Sequence, residues 1–302
     1  MRISTTRAYG DVIRVAGLVG FSRGKASSIV SELSGRDPET RRVDEARIPL
    51  AYDKLEAALG QIVKKYHFEN FIMTIKSAGY ITPGMVNSRN ALNFAYALYL
   101  RLRVDDTMGE GERKRIVRRW FVMSMLTGRH SGSFESTWEQ DIRRIGTLGA
   151  AAYLKQIEES ELTDGFWDVA LPAALETTST SSPYFQTFLA AQVASNARGF
   201  LSKSITVAVM HQQSGDIHHI VPKHYLQTNG FPDRGDHNQV ANFALTETSI
   251  NISISNKPPA QYMAEAAAQV QTGVLTRIFH RLAVECWCGF GAVVCVDSGM
   301  GV

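Results

Sequence analysis

Near residue 200 this sequence changes texture, and the change sets the fold classes open to it. Before that point apolar residues recur at spacings of three and four among helix-favouring charged residues; beyond it β-branched residues, Asn, Gly and Pro take over. The stretches Leu55–Tyr66 and Ala91–Leu100 read as amphipathic helices separated by Gly79 and the Thr82-Pro83-Gly84 turn. Further helices are expected over about Glu112–Leu126, Ser136–Ile145, Ala150–Ile157 and Ser182–Asn196, the last opening on Ser182-Pro183 as a cap and first-turn proline. Past the change, Gly215–Pro222 and Gln239–Thr246 read as short strands around a polar loop, Thr228–His237, and Pro259–Gln271 as a helix. The expected fold is therefore mainly α: a helical domain over 1–205, a small mixed domain over 206–275 and an atypical C-terminal tail over 276–302.

Composition agrees with a folded chain of two domains. At 302 residues, with 44% apolar and 20% charged side chains, the sequence lies far from the polar, highly charged corner where chains fail to collapse. The longest apolar candidate, Val284–Val296, is too short to span a bilayer and carries three cysteines, and Met1–Gly10 lacks the pattern of a secretory signal. No membrane association and a cytoplasmic location are expected. Cys286, Cys288 and Cys295 form neither an even disulfide framework nor paired zinc knuckles, and Cys-x-Cys spacing speaks against a zinc site completed by His280.

The net charge of +3 is too mild to announce a nucleic-acid partner, but its distribution is uneven. Residues 201–302 hold 6 basic and 7 acidic side chains, leaving 26 and 22 for residues 1–200. Arg113, Lys114, Arg115, Arg118 and Arg119 gather on one side of the Glu112–Leu126 helix. They are the candidate nucleic-acid-binding residues, with a solvated helix face as the competing reading. Gly17–Ala26 has the look of a phosphate loop, yet Gly20-x-x-x-Gly24-Lys25-Ala26 has the wrong spacing and no Ser or Thr after the lysine.

The chemistry concentrates in the second domain. His211, His218, His219, His224 and His237 fall close together, and imidazole both ligates metals and moves protons near neutral pH. The sharper signal is an order: Asp216-x-His218-His219-Ile220-x-Pro222, then Asn242, Asn251 and Lys257. For His211, His224 and His237 the simpler reading is a hydrogen-bonded structural histidine.

This order, across about 214–258, resembles the HNH nucleases, whose ββα-metal motif holds one divalent cation against a scissile phosphate. The resemblance implies His219 as the general base, His218 and Asn251 as metal ligands with Asp216 able to join them, and Asn242 as the residue holding the loop that orients the base. Lys257 falls where a cation would meet the phosphate, so His219, Asn242 and Lys257 form the expected catalytic set. The implied cofactor is a divalent metal, Mg, Mn, Ni or Zn, with imidazole favouring the softer ions. Consecutive strand residues point to opposite faces, so His218 and His219 converge only where the strand ends or is irregular.

A wider similarity covers Ser77–Tyr80, Asn93–Tyr99, Arg118–Phe121, Leu126–Ser136, Asp141-Ile142 and Phe188–Gln192. Together with the nuclease motif these segments look like the C-terminal two thirds of GmrSD-type proteins, bacterial defence proteins similar to type IV restriction endonucleases. The resemblance implies a metal-dependent DNA endonuclease in anti-phage defence. It also implies a separate nucleotide-hydrolysing subunit as partner, because the Asp-Gly-Gln-Gln-Arg motif of the usual first domain does not occur in this sequence. The competing readings are an inactive nucleic-acid- or partner-binding remnant and a purely structural metal domain.

Overall fold

A computed structural model describes residues 9–37, 40–104, 108–213 and 215–267. The described chain is mainly helical, with one two-stranded antiparallel sheet, and forms two compact units, Met1–Phe166 and Trp167–Val302. That division falls earlier than the expected 205/206 boundary: residues 167–205 belong with the sheet. Among the described residues no helix is long and apolar enough to cross a membrane. The tail over 276–302, its three cysteines, His280 and the end of the Pro259–Gln271 helix lie outside the described residues.

The first unit contains α1 (Tyr9–Ala16), α2 (Ala26–Leu33), α3 (Arg47–Ile62), α4 (Lys65–Lys76), α5 (Arg89–Arg103), α6 (Glu110–Thr127), α7 (Phe134–Leu148) and α8 (Ala150–Glu161). Helix α5 is its centre. From Phe94 to Leu100 every residue is buried, because alanine and aromatic residues surround the helix axis and leave no polar stripe for water. Ser88 caps α5 by accepting from the Ala91 amide at 3.1 Å. Phe94 stacks on Trp120 of α6 with ring centroids 5.4 Å apart, and Tyr96 donates its hydroxyl to the Ile62 carbonyl at 2.9 Å.

Segments quoted for the wider similarity meet in a buried polar network. Gly128 adopts φ +63°, a conformation glycine reaches without strain, and turns the chain after α6. Arg129 then grips Asp141 of α7 in a bidentate pair at 2.6 and 2.9 Å and also pairs with Glu161. Tyr153 donates to Asp141 at 3.0 Å, and His130 lies 3.2 Å from the same carboxylate. Burial opposes charge on Asp141, but its bonds to His130 and Arg129 hold it below the ordinary carboxylate value.

The phosphate-loop look of Gly20–Ala26 has a structural resolution. The amides of Gly24 and Lys25 donate to Glu139 Oε2 at 3.2 and 3.1 Å, and the Ala26 amide donates to Glu135 at 3.4 Å. Carboxylates of α7 thus satisfy the amides at the start of α2, where a phosphate loop would bind its ligand.

The second unit runs α9 (Leu171–Ala174), α10 (Pro183–Ala194), α11 (Val207–Gln212), β1 (Asp216–His219), α12 (Lys223–Thr228), α13 (Arg234–His237), β2 (Phe243–Thr246), α14 (Thr248–Ile254) and α15 (Pro259–Ala267). Strands β1 and β2 pair Asp216 with Thr246, Ile217 with Leu245, His218 with Ala244 and His219 with Phe243. Both strands are shorter than expected. Pro222 follows β1 closely, and a 3₁₀ turn over Val240–Asn242 takes up residues read as the start of β2. Phe185 of α10 meets Phe243 edge-on at 6.1 Å, which explains why α10 belongs with this unit.

Candidate metal and hydrolytic site

Strand alternation places His218 and His219 on opposite sides of β1: His218 is buried and His219 half-buried. The two imidazoles therefore acquire separate partners. His218 Nδ1 lies 2.7 Å from Asn251 Oδ1, so the expected ligands from β1 and α14 are brought together. Its Nε2 is buried and has no hydrogen-bond partner among the described residues. Burial holds His218 below the ordinary histidine value, so it is neutral at pH 7, the form that ligates a metal.

Aromatic side chains fix the His218 ring. Phe200 stacks on it at 5.8 Å with planes 21° apart, and Tyr262 of α15 meets it edge-on at 6.4 Å. Phe200 is set there by the backbone: its amide donates to Leu245 O at 2.7 Å and its carbonyl accepts from Thr246 Oγ1 at 2.7 Å. Gly199 permits that approach, since a Cβ there would lie 2.2 Å from Met210 Sδ and 3.1 Å from the Leu245 carbonyl. Tyr262 donates its hydroxyl to the Ile220 carbonyl, tying α15 to the turn after β1.

His219 faces Phe243, edge-on at 5.1 Å, and its Nε2 lies 3.0 Å from Asn238 Oδ1. An amide oxygen only accepts, so Nε2 carries the proton and Nδ1 keeps the lone pair. Burial lowers the His219 pKa, the bond to Asn238 opposes the shift, and the charges of His237 and Lys223 reinforce it. At neutral pH His219 is an unprotonated base of defined tautomer.

Asn242 does structural work. Its Oδ1 accepts from the Val221 amide at 2.7 Å, its Nδ2 donates to the carbonyls of Val221 and His237 at 3.0 and 3.1 Å, and its own carbonyl accepts from the Ile220 amide at 2.8 Å. One buried side chain thereby fastens the segment after His219 to the segment before Asn238. All these polar groups of Asn242 are engaged with backbone, so the side chain holds the loop.

The remaining expected residues are less concentrated. Asp216 opens β1 on the same side as His218, paired with Thr246 and half-buried, but among the described residues no three His, Cys, Asp or Glu side chains gather into a metal cage. Lys257 follows α14 beyond Ser255, half-buried, with its amide donating to Ile254 O at 3.0 Å. The basic run on α6 is largely spent within the first unit. Lys114 pairs with Glu110 at 2.6 Å, Arg115 with Glu112 at 3.7 Å and Arg119 with Glu158, whereas Arg118 donates to Ser77 Oγ at 3.4 Å. Of the five, Arg113 and Arg118 form no ion pair among the described residues. Sequence reading missed Asn238, Phe200 and Tyr262; Asn238 lies in a polar loop where nothing in the local pattern marks it.

His218 and Asn251 are the two described side chains placed to share a divalent cation. Two ligands at about 2.1 Å on adjacent octahedral positions lie about 3.0 Å apart, a few tenths of an ångström beyond the observed separation of His218 Nδ1 and Asn251 Oδ1. Both side chains are neutral, so an ion held there would keep its charge for anionic oxygens. The chain matches no family model, no curated protein and no solved structure.

Proposed function

We propose that the second unit is a divalent-metal-dependent phosphodiesterase of the HNH, ββα-metal type, acting on DNA in anti-phage restriction. The observation that carries this reading is the meeting of His218 with Asn251 on one side of β1 while His219, the next residue, is presented as a neutral base by Asn238. Hydrolysis needs an activated water and a stabilised phosphate; β1 ends at His219, and imidazoles on opposite sides of the strand reach one phosphate only around that end.

In this mechanism His219 Nδ1 takes a proton from water as its oxygen bonds to phosphorus and the P–O bond to the leaving nucleotide breaks. Asn238 keeps the proton on Nε2, so that Nδ1 remains the accepting atom. Asn242 holds Ile220 and Val221, and with them the His219 backbone, against the loop that carries Asn238. His218 and Asn251 would hold the cation, which supplies Lewis-acid stabilisation of the phosphate oxygens. Imidazole in the ligand pair favours Mn, Ni or Zn over Mg.

The test is incubation of the full chain with plain and modified phage DNA, after EDTA treatment and with Mg, Mn, Ni or Zn restored separately. Metal-dependent cutting that His219→Ala abolishes supports the reading. Wild-type cutting by that variant, or metal binding without cutting under any of the ions, overturns it.

A further inference from the structure

The first unit carries a surface that this chemistry does not use. At the elbow between α3 and α4 four consecutive residues, Val63 to Tyr66, are exposed, and Tyr66 keeps 65% of its surface in contact with solvent. Helix α4 buries Phe71, Thr74 and Ile75, so the Tyr66 ring is not part of its packing face. Arg103, from the last turn of α5, lies 5.7 Å from the Tyr66 ring centroid and 5.9 Å from that of Tyr99. Tyr99 is buried and accepts from Arg103 Nη1 at 3.4 Å, so a fixed ring holds the guanidinium that backs the exposed one.

The neighbouring charge is mainly positive, with Glu69 paired to Lys65, and Glu110, itself paired to Lys114, near enough to Arg103 to feel its charge. His67 is anchored through Nδ1 to the Gln61 carbonyl at 3.1 Å, with its ring 6.2 Å from that of Tyr66. Burial, and behind it the charges of Arg103 and Lys64, hold His67 below the ordinary histidine value, so both cations are felt at one imidazole. Lys65 pairs with Glu69 at 3.7 Å, whereas Lys64 and Arg103 have no ion-pair partner among the described residues. Asp105 and Asp106 follow α5 in the sequence and lie outside the described residues.

An exposed aromatic ring backed by a guanidinium, with an unpaired amine beside it, matches a nucleobase followed by a phosphate. A paired base keeps its faces inside the stack, so the matching ligand is unpaired. We propose that the α3–α4 elbow is a contact site for single-stranded DNA, with a base stacked on Tyr66 and the backbone phosphates met by Lys64 and Arg103. The stacking and the charge stand on the first unit alone, whereas the choice of DNA over RNA rests on the proposed nuclease function.

The test is fluorescence anisotropy of a short labelled oligothymidine with the full chain in EDTA, which removes any contribution from cleavage. Tyr66→Ala should weaken binding roughly tenfold and Tyr66→Phe, which keeps the ring, should not. Lys64→Ala should reduce the salt slope by about one phosphate contact. Because Tyr66 is exposed, the variants are expected to fold, and circular dichroism checks that they do. Unchanged affinity of Tyr66→Ala, equal competition by a duplex of the same sequence, tighter binding of oligouridine, or no binding by the wild-type chain each overturns the proposal. A chain that binds in this way but never cuts refutes only the nuclease reading.

Discussion

The 2.7 Å contact between His218 Nδ1 and Asn251 Oδ1 joins the strand β1 to the helix α14 through two uncharged side chains. Without a cation this is a hydrogen bond in which the imidazole donates. With one, on the proposed reading, the same atoms would become ligands and the proton would move to Nε2. His218→Ala and Asn251→Ala should therefore weaken Mn binding at least about tenfold, whereas His219→Ala should leave it unchanged. Calorimetric titration with Mn separates the two classes, and equal metal affinity in all three variants would contradict the assignment.

The proton-transfer role makes a different demand. His219→Ala should lower the cleavage rate by about 10²–10⁴ without altering the unfolding transition. Since the His219 pKa lies below its ordinary value of 6.5, the rate should hold level from pH 8 to pH 7 and decline only below pH 6.5, as the base becomes protonated. Asn238→Ala should slow cleavage, and Asn238→Asp, which keeps an accepting oxygen, should restore much of it. A rate that climbs steadily between pH 7 and 8 would point to another base.

Asn242 should behave as a structural residue even though it stands between the chemical ones in sequence. Asn242→Ala removes the partners of two buried carbonyls and one buried amide, each costing about 1–3 kcal/mol when left unsatisfied, so a loss of about 3 kcal/mol or more is expected. The second unit's urea midpoint should fall, and activity with it. A variant of normal stability that does not cut would instead assign Asn242 to the chemistry.

The sequence made some of this legible and concealed the rest for physical reasons. Helices α6, α7, α8 and α10 lie close to where apolar spacing puts them, since periodicity and proline position are local properties. His218 and Asn251 were recognisable as a pair only through their order along the chain. Asn238, Phe200 and Tyr262 reach the site through loops and a separate helix, and no spacing rule connects residues that meet by tertiary folding. The basic run on α6 shows the division within one element. Its neutralisation by Glu110 and Glu112 is visible at spacings of four and three, but the pairing of Arg119 with Glu158 requires knowing that α8 packs on α6. The compact-unit boundary falls after Phe166, earlier than the 205/206 that texture suggests, because helical periodicity does not state which core a helix joins.

The first unit should be sensitive to acid through His130. Burial pushes its pKa below 6.5, outweighing the favourable effect of Asp141, whereas the unfolded chain protonates near 6.5. The folded state thus binds fewer protons, so stability is complete above pH 6.5 and is lost as pH falls from there toward the folded pKa, by at most about 1.4 kcal/mol per pH unit. Asp141 adds nothing to this window, because its own pKa is lowered from 3.8 and its contribution is lost only at more acid pH. His130→Gln should flatten the slope of the urea midpoint between pH 7.5 and 5. Asp141→Ala should instead lower the midpoint throughout that range, by about 3–5 kcal/mol, since Arg129 would be left buried without its bidentate partner. If both variants shift the midpoint by the same amount at every pH, His130 is not the group that titrates, and acid loss must come from carboxylates elsewhere in the unit.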